Sequence, residues 1–421
     1  MDFAPKVAEP PSTNYLGLAP FLRASIAGED LRARAKAALE RVGQNPEAAN
    51  LWLNLSTLMF SLGQRDAGFA TQNQALALQR LFEIKAETQP AALRLLVLMA
   101  PGDVAANTPL DCLLEGSDID LLLYFISPEA PLPSPMPTHD AVFIALGDSP
   151  EHRLLLTELA TRLAHWPHPV LNFAEAIFNT ERAQASRLLQ DIDGVLMPPT
   201  QAISRADLAL SLTRAADTPA DTEQMVFPLI IRPHDSHAGR DLDKIESATA
   251  LQAYLARVTA EQFFIAPFID YRSADGLFRK FRIALVHGEA FIVHRAISNH
   301  WMIHYVNAGM YEDAQKRAEE AQFMAQFAEF KQRHRTALAA ISARMGLDYV
   351  CFDGAETLDG QLLIFEIDHV MVVHAMDLPA LFPYKAEPIQ QIQIAFRQML
   401  ANQVAAHPAR LAAQSPQLLD Q

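Results

Sequence analysis

Between Glu29 and about Ala86 the apolar positions recur at helical spacing. Ala35, Ala38, Leu39 and Val42 fall on one face, and Pro46 sits at a helix start. The next run, Ala48 to Gly63, carries Trp52, Leu55 and Met59. Gly63 breaks it, and Gly68 and Ala75 are small enough for two helices to pack closely. After Gln89-Pro90 the period changes. Leu93 to Met99, Ile119 to Phe125, Ala141 to Ala145 and Pro169 to Leu171 are short apolar runs, as in strands buried on both faces. A helical stretch, Glu151 to His165, lies between two of them. This alternation predicts an α/β layer with a parallel sheet, and Pro131, Pro133, Pro135 and Pro137 mark an exposed connection. A third pattern follows. Strand-like runs occur at Phe227 to Ile231, Phe263 to Ile269, Phe281 to Val286, Ala290 to His294, Tyr349 to Asp353 and Gln361 to Ile367. Tyr311 to Ala343 reads as one long helical segment. Hairpin strands with helices predict an α+β domain able to clamp a ligand between sheets.

Composition narrows the partners. The chain has 421 residues, enough for two to four domains, and half of them are hydrophobic. A formal net charge of −15 argues against nucleic acid, whose phosphates need a basic face. It does not exclude a nucleotide held in a local cationic pocket. Two cysteines, Cys112 and Cys351, far apart and without a CxxC pair, read as buried thiols. Met1 to Pro11 lacks the layout of a signal peptide, and no apolar run is long enough to span a bilayer. The reading is a cytoplasmic protein with no membrane partner.

Three constellations carry chemistry. Tyr349 to Asp353 ends in a carboxylate. After the turn Asp359-Gly360, the run Leu362 to Asp368 ends in Glu366 and Asp368, one residue apart and so on one strand face. Antiparallel pairing brings Asp353 near them. Three carboxylates on buried strands need neutralising, and magnesium takes such oxygen ligands and shares its shell with phosphate. Alone, the stretch is equally a hairpin with solvated ends. Second, Pro228 to Pro233 delivers Arg232 from a strand into the small-residue loop His234 to Arg240, a layout that can contact phosphate or be an ordinary turn. Third, Lys280 and Arg282 share a strand face, and Arg295 sits on the partner strand after the hairpin Val286-His287-Gly288-Glu289. Cations facing one side call for an anion between them, or are a solvated basic face.

The order is cation-bearing strand, glycine-bearing loop, hinge strand, basic hairpin, Asp, then Glu-x-Asp. It resembles the ATP-grasp superfamily, especially the glutathione synthetase and RimK-type ligases, over about 227–377. The stretch 24–88 resembles one tetratricopeptide unit through Trp52, Leu55, Gly63 and Ala75. A plain helical hairpin fits it as well. The resemblance implies a multi-domain α+β and α/β chain: a helical, tetratricopeptide-like segment 24–88, a pre-ATP-grasp α/β domain 90–200 and an ATP-grasp catalytic domain 201–405. It implies ATP and Mg2+ as cofactors. By position, Arg232 stands for the first phosphate-contacting Lys, and Ser236, His237 and Gly239 for the flexible loop over the phosphates. Phe264, Ala266, Phe268 and Ile269 fall in the hinge that reads adenine. Lys280, Arg282 and Arg295 are the catalytic cations, Lys280 touching the nucleotide as well. Asp353, Glu366 and Asp368 are the metal ligands. Arg replaces Lys at 232, Asp replaces Asn at 368, and Pro267 removes one hinge amide.

The family's chemistry is ADP-forming ligation of a carboxylate to an amine or hydroxyl through an acyl phosphate. His300 and His304, in the aromatic and polar stretch 298–305, are candidates for substrate contact, with packing or a metal as the alternatives. The helical segment makes a peptide or protein carboxylate substrate the sharper expectation, as in maturation of a ribosomally made peptide. A small-molecule amino-acid ligase and a non-catalytic ATP-binding scaffold are its rivals. Family members often self-associate, so a homo-oligomer is a further expectation.

Overall fold

The computed structural model describes residues 13–217, 226–234, 236 and 239–414. Four helices come first: α1 (Ala19–Ile26), α2 (Leu31–Gln44), α3 (Ala49–Ser61) and α4 (Arg65–Leu78). The small residues act as expected. Gly68 on α4 lies under the Phe60 ring, where a Cβ would come within 2.6 Å of the ring carbons. Ser56 Oγ donates to the Gly68 carbonyl (2.9 Å), and Ala75 is fully buried. Helical structure stops earlier than the periodicity suggests. Leu81–Ile84 is a strand, β1, because Phe82 alternates into the core of the following sheet.

That sheet contains β2 (Leu93–Met99), β3 (Ile119–Phe125), β4 (Ala141–Ile144) and β5 (Val170–Leu171) in the order β1-β3-β2-β4-β5. β2 to β5 pair in parallel, and β1 joins the edge antiparallel to β3. The short helix α5 (Leu110–Leu113) follows β2. α6 (Arg153–Leu163) crosses from β4 to β5, and α7 (Ala174–Ile177) and α8 (Arg182–Leu189) come after β5. Nearly every residue of β3 and β4 is buried, as a sheet covered on both sides requires.

Two further sheets make up the rest. β6 (Val195–Leu196) leads to β7 (Gln201–Ser204) and α9 (Arg205–Asp217), then β8 (Leu229–Pro233), β9 (Asp243–Ile245), α10 (Ala248–Arg257) and β10 (Gln262–Pro267). The smaller sheet runs β7-β10-β8-β9 and has its own core of Leu208, Ile231, Leu251, Tyr254 and Phe263. The larger runs β12-β11-β13-β14-β6, from β11 (Phe278–Val286), β12 (Glu289–Ser298), β13 (Tyr349–Glu356) and β14 (Leu362–Asp368). Both are antiparallel except where the edge strand β6 pairs in parallel with β14. The expected long helix is three: α11 (Ala314–Ala325), α12 (Phe327–Arg333) and α13 (Arg335–Met345). The second break, at His334, turns its ring to Glu356 (Nε2 to Oε1 2.8 Å) while Phe330 packs under Phe281 and Phe327 stacks on Phe330.

The closing helix α14 (Ala386–Gln414) places Ile389, Ile392 and Phe396 against both the parallel sheet and the back of β13. Asn172, fully buried after β5, donates from Nδ2 to the Tyr349 carbonyl (2.8 Å) and accepts from the Tyr349 amide (2.9 Å). The parallel sheet and the β11–β14 hairpins are thereby joined through core and backbone.

Candidate functional site

The β11–β12 hairpin closes through His287 and Gly288, both at positive φ, as the tight two-residue turn requires. Counting back from that turn, an unbroken ladder pairs Lys280 with Arg295. The ladder is broken. A bulge between Arg282 and Ile283 leaves Val293 as an extra residue, so Arg282 pairs with His294 and Phe281 with Arg295. A second bulge, between Asp353 and Gly354, pairs Asp353 with Glu366. Partners directly opposite share a face. One row therefore crosses four strands: His294 on β12, Arg282 on β11, Asp353 on β13 and Glu366 on β14. Lys280, two residues from Arg282, faces the same side.

Asp353 is 1% exposed. It accepts from Lys280 Nζ (2.7 Å) and from Arg282 Nε (2.8 Å) and Nη2 (3.1 Å). Burial pushes its carboxyl up, but Arg282 and Lys280 outweigh burial and hold it below the usual carboxylate range. Arg282 also donates from Nη1 to the Val372 carbonyl (3.2 Å), in the segment after β14.

Glu366 is where the layers meet. Arg182, at the start of α8, pairs with it, and Arg232 Nη1 from β8 lies 3.8 Å from its Oε2. Burial raises the Glu366 carboxyl, yet Arg182 and the other cations bring it down to about 2. Arg232 is pushed down to about 10 by burial and by Arg182. Its Nε is buried with no partner among the described residues. Asp368, about a third exposed, lies beside His369 (3.3 Å).

The loop after β8 is tied to the same cation, since Arg232 donates to the Ser236 carbonyl and Ser236 Oγ to that of Arg240. His237 lies outside the described residues. Gly239 has φ +72°, and an added Cβ would come 2.4 Å from Nε2 of His304. In the hinge, Phe264 pairs with Arg232 and Ala266 with Ile230, and the Phe264 ring stacks on His234 (4.3 Å). Ile269 packs beside Tyr271 and Trp301.

Several expectations need correction. Arg295 is not in the row. The bulge turns it to the opposite face, where it lies over the Phe323 ring (4.4 Å) and beside Glu319 (3.5 Å). The Phe268 amide donates to the Pro228 carbonyl (3.0 Å), so it is not free to read a base. Asp353, expected as a metal ligand, is here paired with Lys280 and Arg282, the two nearest cations. Among the described residues no three His, Cys, Asp or Glu side chains group as a metal site. Glu366 and Asp368 remain as the partly exposed oxygen donors. The two candidate histidines part company. His300 is exposed, its Nδ1 accepting from the Met302 amide (3.2 Å), whereas His304 is turned to Gly239. Sequence reasoning missed Arg182, whose one mark is a cation just after Glu181, the residue capping α8.

No family model matches the chain, and no curated protein matches it. Among solved structures it is similar to the D-alanine–D-alanine ligase from Bacillus anthracis complexed with ATP. The identity is 13%, the TM-score 0.46, and the match covers 76% of this chain and 100% of that one. It is similar to the RimK domain protein ATP-grasp from Sphaerobacter thermophilus at 17% identity and TM-score 0.40, over 74% and 99% of the two chains. The ATP-grasp ligase PsnB complexed with a phosphomimetic variant of its minimal precursor, Mg and ADP gives 14%, 0.40, and 72% and 98%. At these distances the chain's own residues decide what the site can do.

Proposed function

We propose that this chain is an ATP-dependent ligase of the ATP-grasp type, which activates a carboxylate as an acyl phosphate and joins it to an amine or hydroxyl. One observation carries the reading. Arg182, Arg232, Lys280 and Arg282, drawn from three layers, converge on two buried or half-buried carboxylates where two sheets face each other. Four cations so placed are suited to an oligophosphate and to the charge that develops as a phosphoryl group moves.

The donor set fits the groups that the reading requires. The unpartnered Arg232 Nε and the glycine at positive φ are what a phosphate-binding loop offers. Magnesium on Glu366 and Asp368 would neutralise phosphate oxygens and polarise the transferred group. Asp353 serves by position: fixed between Lys280 and Arg282, it holds both cations toward the row. The substrate carboxylate oxygen attacks the terminal phosphorus and ADP leaves. The amine nitrogen, or a hydroxyl oxygen, then attacks the acyl carbon, phosphate leaves and the nucleophile's proton passes to solvent. Positioning and charge do this work, and no nucleophilic side chain is needed.

On this reading 201–405 is the catalytic unit, 90–200 the preceding domain that supplies Arg182, and 24–88 an arm for a peptide substrate. The support for the arm is its packing on the parallel sheet, with Ala49, Leu53, Ala75 and Leu76 in one cluster with Leu95 and Leu123. Calorimetry with Mg-ATP on the wild type and on Glu366→Gln tests the site. Tight magnesium-dependent binding lost in the variant is expected, and wild type without affinity for ATP sinks the proposal. ADP release driven by peptides supports the peptide reading, and release driven only by free amino acids replaces it.

A further inference from the structure

The histidine facing the glycine loop carries more than the reading so far uses. His304 precedes a single turn of helix, Tyr305–Asn307, and caps it in both directions. Its side chain accepts from the Asn307 amide, while Asn307 Oδ1 accepts from the His304 amide (2.9 Å). The ring nitrogen left over is Nε2, buried and without a partner among the described residues. The accepting nitrogen is therefore Nδ1, and in a neutral imidazole one nitrogen accepting leaves the other carrying the proton. The ring is kept neutral: burial and Lys280 both push its pKa below the ordinary histidine value. Nε2–H is thus a donor of fixed tautomer and fixed direction.

That donor faces the loop after β8. Gly239 gives way to it, since any side chain there would collide with Nε2. Lys280, Glu366, Asp353 and Arg282, the charged row itself, all act electrostatically on the ring. An orphaned buried donor costs on the order of 1–3 kcal/mol, so a place that keeps one has an acceptor to meet. Resting on the nucleotide reading above, we propose that His304 Nε2–H donates to an oxygen of the terminal phosphoryl group of the bound nucleotide, between the glycine loop and Arg282. His304 thereby distinguishes a triphosphate from a diphosphate.

The test compares two probes with magnesium: a non-hydrolysable ATP analogue with nitrogen between its β- and γ-phosphorus atoms, and ADP. Their dissociation constants are measured by calorimetry on the wild type, His304→Ala and His304→Gln, with thermal unfolding confirming each fold. A hydrogen bond to a charged oxygen predicts about 10- to 100-fold weaker analogue binding in His304→Ala, with ADP changed less than about twofold. His304→Gln, whose amide can reach the same place, recovers part of the loss. Equal weakening of both nucleotides means that His304 only supports the loop, and overturns the proposal. Unchanged binding of both does so as well. Wild type that binds neither overturns the nucleotide reading along with it.

Discussion

Asp353 stands between Lys280 and Arg282 with almost no water access, so its charge holds two others in place. Removing one partner of a buried ion pair leaves uncompensated charge, at about 3–5 kcal/mol. Asp353→Asn should lower stability by that order, read as a shift in the urea midpoint, and weaken Mg-ATP binding with it. Acid acts on the same groups. Asp353 has a depressed pKa, so its contribution is present above the ordinary carboxylate value and lost as pH falls through the lower, folded one. His294 and His304 are also depressed, by burial first and then by Arg282 and Lys280 respectively. Their contribution is present above about pH 6.5 and lost as pH falls through their folded values. Stability should therefore begin to fall near pH 6.5, well before the carboxylates titrate. In His294→Phe, the urea midpoint should drop less between pH 7 and 5 than in wild type. The charged residues of the row were legible in the sequence because charge on apolar strands is costly enough to need a reason. Arg182 was not, since a cation at a helix start is common and only the packing of α8 brings it to Glu366.

Among the elements, the strands of the parallel sheet were readable to within a residue or two, because both faces are buried and the apolar runs are continuous. The two bulges were not. Alternation along β12 places Arg295 with Lys280 only if pairing is uniform, and one extra residue reverses every face beyond it. The bulge between β13 and β14, where Phe365 is the extra residue, is written more openly, because Gly354 follows Asp353 on the opposing strand. A Cβ at Gly354 would lie 2.5 Å from the Leu363 carbonyl oxygen, a backbone atom that cannot step aside. Gly354→Ala should cost about 1–3 kcal/mol in urea unfolding, as overpacking does. It should also weaken nucleotide binding, since the bulge sets Glu366 opposite Asp353. α11 to α13 misread as one helix for a related reason. Ala, Glu, Gln, Lys and Arg favour helix throughout, and only the tertiary partners of Phe330 and His334 break it.

At the scale of the molecule, α14 and Asn172 fasten the parallel sheet to the hairpin sheet, while the β7–β10 sheet keeps a core of its own. Arg182, Arg232 and Glu366 therefore report on whether three layers are together, which no single stretch of sequence could disclose. The row that they complete is nearly balanced in charge, and the consequence concerns encounter rather than binding. Four cations set against Asp353, Glu366 and Asp368 nearly cancel, so the site projects little field into solvent, whereas the whole chain carries −15. An approaching anionic nucleotide is first repelled and meets attraction only inside the cleft. Added salt screens the repulsion beyond roughly 10 Å at 0.1 M and leaves the enclosed contacts largely intact. The association rate of a fluorescent ATP analogue, followed by stopped flow, should rise with ionic strength, where most cationic phosphate sites slow down.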